Sequence, residues 1–128
     1  TPEEFEIVKR HTVIGEDLLR GMKDYAGEPL VEEAAQICRW HHERVDGRGY
    51  PDGLKGDEIP ISAQVVGLAD VFDALVTRRA YKEAYTPEEA MAMIRRGECG
   101  AFDPLLVECL QDIQDALRYE VYTAGGAE

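Results

Sequence analysis

Two adjacent histidines stand directly before a glycine-rich segment in the middle of the chain, in the run HHERVDGRGYP from His41 to Pro51. Imidazole is a common metal ligand, and its charge changes near neutral pH. Glycine and proline can hold the following loop in a fixed shape beside such a site. A helix that ends in two solvated histidines, followed by an ordinary turn, would give the same run. The histidine pair alone therefore leaves both interpretations open.

The remaining histidine, His11, also falls on an apolar helical stripe. Ile7, Ile14 and Leu18 are spaced around it at steps of four, three and four residues, which predicts that it does not face solvent. Taken singly, His11 is compatible with a core histidine bonded to a backbone group. All three on apolar faces favour a shared metal site, because unligated surface histidines would scatter. The pair ends two similar stripes, Leu30-Ala34-Ile37-His41 and Val31-Ala35-Cys38-His42.

A carboxylate candidate follows in the helix predicted from about Ser62 to Arg79. Apolar residues lie on two sides of this helix, so Asp70 is predicted to be buried. A buried carboxylate is costly unless it is paired or bound to a metal ion. Asp70 is therefore a candidate ligand, with a helix cap or an ion pair with arginine as the alternative. Asp73 is predicted to be structural.

The formal charge of −12 argues against binding of nucleic-acid polymers, which require clustered lysine and arginine. A small phosphate ester stays possible, because a metal ion and a few cations can reverse the local field. No run approaches the ~20 apolar residues that a membrane span needs, so no membrane association is expected. Cys38, Cys99 and Cys109 are odd in number and lack CxxC spacing. They are predicted to be thiols, which indicates a cytoplasmic protein.

Local sequence signals predict the helices of the chain and one long loop between them. The stretch from Glu43 to Pro60 is rich in glycine and is predicted to be a functional loop. No strand alternation is visible, which predicts an all-α bundle of about five helices over residues 1–122 and a disordered tail over residues 123–128. Capping boxes are predicted at Thr1-Pro2-Glu3-Glu4 and Thr86-Pro87-Glu88-Glu89, and further starts at Glu28-Pro29 and Asp103-Pro104.

Four runs together resemble the HD-GYP phosphodiesterases, which hydrolyse cyclic di-GMP: HHERVDGRGYPDGLKGDEIP, LADVFDAL, RRAYK and FDP. The resemblance extends from about Thr1 to Leu110. It implies an all-α bundle of the HD superfamily with a long GYP loop, and a site that holds two or three iron or manganese ions in a cage of histidines and carboxylates. It also implies the output domain of a bacterial signalling protein, for example in a two-component system.

The resemblance assigns roles by position. His11, His41, His42 and Asp70 match metal ligands of the family. Arg79 and Lys82 match its phosphate-binding cations and would neutralise charge during hydrolysis, so they are the catalytic candidates. The substrate-binding candidates are Gly49, Tyr50 and Pro51, which form the GYP motif, together with Arg79 and Lys82. The GYP loop of the family is also linked to the binding of GGDEF cyclases.

The sequence departs from the family pattern in two ways. Ala80 stands where a proline is usual, with Arg79 and Lys82 still in register. No His-Asp dipeptide occurs, whereas the family carries one upstream of the segment that matches Thr1. The chain is therefore expected to lack the first metal-binding helix, to hold at most one divalent ion and to have little or no activity alone.

Two alternatives stay open beside a cyclic di-GMP phosphodiesterase. One is another nucleotide hydrolase of the HD superfamily, but the GYP loop with Arg79 and Lys82 favours the phosphodiesterase. The other is a non-catalytic signalling or docking module, which the missing His-Asp dipeptide favours for this polypeptide. Apolar helix faces beside His11 and Asp70 also predict a homodimer that buries them.

Overall fold

The computed structural model describes residues 1–25, 27–77 and 83–126, with side chains of the last helix described as far as Leu117. These residues form α-helices and no strand, which confirms the all-α prediction. Short 3₁₀ turns lie at Lys23–Tyr25 and Gly56–Glu58. The helices are α1 (Pro2–Lys9), α2 (His11–Arg20), α3 (Pro29–Trp40), α4 (Ile61–Val76), α5 (Pro87–Arg95) and α6 (Pro104–Gly126).

The predicted helix starts are confirmed. Thr1 and Thr86 each accept a hydrogen bond from the backbone of the glutamate three residues later and form complete capping boxes. Glu28 is the N-cap of α3, with Pro29 at its first position. The Asp103 side chain accepts a hydrogen bond of 2.8 Å from the backbone N–H of Leu105 at the start of α6.

The first predicted helix is divided at Arg10, which ends α1 and precedes α2. Two side chains at this junction bond to carbonyls of the preceding turn. The Thr12 hydroxyl donates to Lys9 O at 2.9 Å, and His11 Nδ1 donates to Val8 O. Such bonds back to the preceding turn bend helices. Periodicity does not reveal this break, and it separates a sixth helix from the five that the pattern predicts.

The chain forms two compact units, residues 1–70 and 71–128, with the boundary inside α4. In the first unit α2 packs against α3. Thr12 of α2 is completely buried, and its hydroxyl donates the hydrogen bond to Lys9 O described above. The buried apolar residues of the unit are Ala35, Ile59, Ala63 and Leu68.

Two burial predictions are wrong. Ile7, Ile14 and Leu18 are 64%, 55% and 70% exposed, and His11 on the same stripe is also exposed. Asp70 is exposed rather than buried. A periodic stripe shows which side chains share a face of a helix, but it does not show whether another element covers that face.

The second unit has its own core of Leu75, Ala90, Met91, Ile94 and Val107. The loop before α5 returns to α4, because the backbone N–H of Tyr85 donates to Leu75 O at 2.8 Å. Arg95 of α5 donates hydrogen bonds to Glu108 and Gln111 of α6. Helix α6 is assigned as far as Gly126, where the sequence predicted a tail from residue 123. The domain limits of 1–122 and 123–128 stay a prediction.

Three further expectations concern the cysteines, a membrane span and the two predicted phosphate-binding cations. Cys38, Cys99 and Cys109 are thiols rather than disulfide sulfurs, as predicted. Within the described part of the chain, no helix is both long and apolar enough to cross a membrane. Arg79 and Lys82 lie outside the described residues.

Helix α4 passes very close to the C-terminal end of α3 at one glycine. A Cβ atom added to Gly67 would lie 2.5 Å from the carbonyl oxygen of His41. No side chain can occupy this contact, so Gly67 sets how closely the two backbones approach. The contact also fixes the C-terminal end of α3, which the histidine pair follows directly.

We expect Gly67→Ala to lower the free energy of unfolding by about 1–3 kcal/mol, since the new methyl group must push α4 away from His41. Urea unfolding followed by circular dichroism measures the change. Gly15→Ala is the matched control in α2, because its Cβ would meet Cys38 at an ordinary 3.4 Å and the free energy should change by less than about 1 kcal/mol. Equal stability of both variants would contradict the predicted close contact.

Candidate metal centre

The structure brings all three histidines together. The ligand nitrogens of His11, His41 and His42 lie within 4.8 Å of one another. The ring centroids are 5.6 Å apart for His11 and His41, 5.0 Å for His11 and His42, and 4.3 Å for His41 and His42. His11 begins α2, whereas the pair immediately follows α3, so the packing of these two helices forms the cluster.

Backbone carbonyls orient two of the rings. His11 Nδ1 donates to Val8 O, and His41 Nδ1 lies 2.8 Å from Ile37 O and 3.1 Å from Cys38 O. A carbonyl oxygen only accepts hydrogen bonds, so Nδ1 carries the proton in both rings. In a neutral ring the lone pair is then on Nε2, and this arrangement is typical of metal-ligating histidine.

The third ring is kept neutral by its surroundings. Burial lowers the pKa of His42 to about 4, and electrostatic repulsion from the neighbouring His41, His11 and Arg44 side chains acts in the same direction. At neutral pH the His42 imidazole therefore carries no proton on one nitrogen. A neutral imidazole is the form that binds a metal ion.

An aromatic side chain covers His42. The Tyr50 ring stacks on the His42 ring with centroids 4.9 Å apart and an angle of 13° between the planes. Phe5 of α1 meets Tyr50 edge to face at 6.2 Å, and the Lys9 ammonium lies 4.7 Å from the Phe5 centroid and 5.6 Å from that of Tyr50. Burial raises the pKa of Tyr50, so its hydroxyl stays protonated at neutral pH.

The loop that carries Tyr50 turns back onto the backbone of the histidine pair. A Cβ atom on Gly49 would lie 2.5 Å from His42 O, Glu43 Cα and Arg44 N, so only glycine fits there. The next residue donates its backbone N–H to His42 O at 3.3 Å. The GYP motif is thus placed beside the histidine cluster, where the sequence predicted a fixed loop.

A buried carboxylate holds the far side of the same loop. Glu43 is 3% exposed. Its Oε1 accepts the backbone N–H groups of Asp52 and Gly53 at 2.8 and 2.6 Å, and its Oε2 accepts that of Leu54 at 3.1 Å. These bonds join the residue directly after the histidine pair to the residues directly after the GYP motif.

An ion-pair network fixes the outer side of the loop. The Asp52 carboxylate accepts two hydrogen bonds from Arg39, at 2.8 and 2.9 Å, and one from Trp40 Nε1 at 2.6 Å. The bonds from Arg39 hold the pKa of Asp52 below its ordinary value. Arg39 also donates to Glu16 of α2 at 2.9 Å. The loop, α2 and α3 are therefore linked by charged groups as well as by packing.

Asp70 is not among the side chains whose ligand atoms lie within 4.8 Å of one another. It is exposed on α4, three residues after Gly67. Residues three apart share a helix face, so Asp70 lies on the same face of α4 as Gly67, the residue that contacts His41 O. Its role as a ligand stays a prediction, as do the phosphate-binding roles of Arg79 and Lys82.

Sequence reasoning missed Glu43, Asp52, Phe5 and Lys9. Glu43 could have been suspected, because an acidic residue close after a helix end can accept backbone N–H groups of a following loop. Phe5 and Lys9 are four residues apart in α1, a spacing that places them on one face. The amino-acid sequence alone does not show that this face of α1 contacts Tyr50.

The donor set fits a divalent transition metal. Imidazole nitrogen suits iron, manganese, nickel and zinc, and three histidines on one ion leave coordination positions for water or substrate. His11, His41 and His42 are the residues that would hold the ion. Tyr50 and the backbone of the GYP loop line the same place.

Comparison with known proteins agrees with this geometry. A protein of Vibrio cholerae serotype O1 named probable cyclic di-GMP phosphodiesterase is 44% identical over 110 residues, which cover 84% of this chain and 25% of that protein. A Thermotoga maritima protein named cyclic di-GMP phosphodiesterase is 44% identical over 124 residues, covering 94% of this chain and 33% of the relative. A Vibrio cholerae protein named 3'3'-cGAMP-specific phosphodiesterase 2 is 38% identical over 113 residues, covering 88% and 21%.

The chain spans about a third or less of the length of these relatives. A family model described as HD domain matches residues 1–106. The predicted resemblance is confirmed by this match and by the names of the relatives. Together with the histidine cluster and the GYP loop beside it, the match shows that the chain belongs to the HD domain family and is of the HD-GYP type.

Proposed function

We propose that this chain provides the histidine cluster and the GYP loop of a metal-dependent phosphodiesterase that hydrolyses cyclic di-GMP. The observation that carries the proposal is the joining of His11, His41 and His42 into one cluster with Tyr50 stacked against it. The names of the relatives support cyclic di-GMP as the substrate. A bound divalent metal, iron or manganese, would polarise the phosphoryl group and supply the nucleophile.

The residues of the chain have separate tasks in this proposal. His11 and His41 present Nε2 to the metal because their Nδ1 atoms are bonded to carbonyls. His42 presents a neutral ring because burial lowers its pKa. Tyr50 excludes water from one face of that ring. Gly49 and Pro51 give the loop the shape that places Tyr50 there, and the loop then borders the substrate.

Asp70, Arg79 and Lys82 complete the proposed site. Asp70 would add a carboxylate ligand to the three neutral imidazoles. Arg79 and Lys82 would meet the phosphates and neutralise charge as the phosphodiester bond breaks. Because the sequence has no His-Asp dipeptide whose aspartate could bridge two ions, we propose that the chain by itself holds at most one ion, weakly, and that its hydrolytic activity is small.

The biological setting of the proposal follows the predicted resemblance. The chain would act in the cytoplasm as an output domain of bacterial signal transduction, and the GYP loop would also contact GGDEF proteins. A second candidate substrate is 3'3'-cGAMP, because one relative is named for it. A non-catalytic docking module is the remaining alternative, and it predicts no metal-dependent binding of either dinucleotide.

We expect the purified chain to bind no more than one Mn²⁺ or Fe²⁺ ion, and His41→Ala to remove that binding because it deletes a ligand nitrogen. Asp70→Asn should weaken binding at least ~10-fold. Asp73→Asn is the matched control on the same helix, since its carboxylate is bonded to Thr77. Isothermal titration and elemental analysis measure affinity and content. Two ions per chain, or full metal content in His41→Ala, would contradict the proposed centre.

We expect Arg79→Ala and Lys82→Ala each to lower the affinity for cyclic di-GMP by about tenfold, or ~1.4 kcal/mol, with metal content unchanged. The physical reason is the loss of one cation from a phosphate. Arg96→Ala removes an exposed arginine paired with Glu98 and serves as the control. Titration of the Mn²⁺-loaded chain with cyclic di-GMP and with 3'3'-cGAMP gives the affinities. Loss of metal in Arg79→Ala would refute a phosphate-binding role.

We also expect a homodimer at micromolar concentration, because exposed apolar residues of α1 and α2 would be buried by a second copy. Light scattering after size-exclusion chromatography measures the mass. Leu18→Lys should give a monomer, since Leu18 is 70% exposed on this face, whereas Leu105→Lys in α6 should leave the mass unchanged. A monomeric unmodified chain would end this proposal, as would a dimer that Leu18→Lys does not weaken.

A further inference from the structure

The segment from Asp52 to Leu54 forms a small cradle of backbone N–H groups. Gly53 has a φ of +69°, and this left-handed residue turns successive N–H groups toward the same side. Such a cradle binds an anion. Here the anion is the Glu43 side chain, which receives all three N–H groups and is 3% exposed.

We infer that Glu43 is a positioning residue of the metal centre: by filling this cradle it holds the GYP loop so that the Tyr50 ring stays against the His42 imidazole. Glu43 belongs neither to the histidine cluster nor to the GYP motif, and it would affect the metal only through the His42 ligand.

The path of the chain explains how Glu43 acts on Tyr50. On one side Tyr50 is anchored by Gly49, which touches the backbone of residues 42–44, and by its own N–H bond to His42 O. On the other side the next anchor is the cradle that begins at Asp52. Both anchors lead back to the residues around His42. The Tyr50 ring is therefore fixed between two points, and one of them is the Glu43 carboxylate.

Both oxygens of Glu43 are needed for this contact. Oε1 accepts two N–H groups and Oε2 accepts the third. A glutamine has one accepting oxygen, and its NH₂ group would face at least one backbone N–H in either orientation. Glu43→Gln therefore removes part of the cradle contact while it keeps the size of the side chain.

The other carboxylate contacts of the loop do not have this position. Asp52 points outward to Arg39 and Trp40 and is exposed. Glu58 accepts one backbone N–H, from Lys55 at 2.9 Å, and is also exposed. Glu58→Gln is thus a matched control, because it changes an acidic residue of the same loop that accepts a backbone N–H away from Tyr50.

The first measurement needs no metal. In the chain without added metal, NMR of the His42 ring protons reports the stacked Tyr50 ring through its shielding. We expect Tyr50→Leu to remove that shielding, Glu43→Gln to remove most of it, and Glu58→Gln to leave it unchanged. Full shielding in Glu43→Gln would overturn the inference.

The second measurement rests on the proposed function, because it uses the metal at the three histidines. Co²⁺ is the probe, and its visible absorption reports coordination by histidine. We expect Glu43→Gln to weaken Co²⁺ binding by about tenfold, as is usual when a residue that orients a ligand is lost, and Glu58→Gln to have no effect. Failure of the unmodified chain to bind Co²⁺ would overturn the proposed function, and the NMR measurement would then decide the inference alone.

A double-mutant cycle separates positioning from general stability. If Glu43 acts through Tyr50, Glu43→Gln combined with Tyr50→Leu should bind Co²⁺ no more weakly than Tyr50→Leu alone. Independent, additive losses would overturn the inference, as would lower thermal stability of Glu43→Gln with unchanged Co²⁺ affinity in the folded protein. Should Glu43→Gln not fold, Glu43→Asp keeps the charge but shortens the reach, and it should show the same loss of shielding and of affinity.

Discussion

Two glycines touch the backbone of the histidine pair, and the rest of the site depends on these contacts. Gly67 of α4 meets the carbonyl of His41, and Gly49 of the loop meets the carbonyl of His42, each at a distance that excludes a Cβ atom. The backbone of the histidine pair is thereby held against α4 at His41 and against the loop at His42. This leaves the two imidazoles little freedom to move, and a metal site needs such preorganised ligands. His11 then needs only the packing of α2 on α3 to join them.

Polar groups of two different kinds hold the loop in this place. Glu43 is buried and satisfies three backbone N–H groups that would otherwise be unpaired, and an unpaired buried donor costs about 1–3 kcal/mol. Asp52, Arg39 and Glu16 form ion pairs nearer the surface, where each pair contributes about 0–1 kcal/mol. The buried carboxylate therefore has the larger effect on the shape of the loop, while the outer ion pairs connect that loop to α2 and α3.

The sequence predicted the parts of the fold that depend on local rules. Capping residues, the histidine pair and the glycine-rich loop each act through neighbours in the chain, so Thr1, Thr86 and Gly49 were found where expected. The break at Arg10 depends on side chains bonding backward to the preceding turn, which periodicity does not report. Burial of Asp70 was predicted wrongly for a related reason. A stripe of apolar residues shows which side chains share a helix face, but it does not show whether another element covers that face.

The acidity of the chain bears on how a dinucleotide could bind. A net charge of −12 repels a phosphodiester at a distance, but exposed charges are screened beyond ~8–10 Å at physiological ionic strength. Close to the histidine cluster the proposed function would set the balance locally, through a metal ion and the cations assigned to the phosphates. Three neutral imidazoles leave the full charge of the ion available to the substrate, whereas each added carboxylate reduces that charge and strengthens the hold on the ion. A site of this composition must therefore divide its charges between holding the metal and attracting the phosphate, and in the proposed function Asp70 would serve the first task and Arg79 and Lys82 the second.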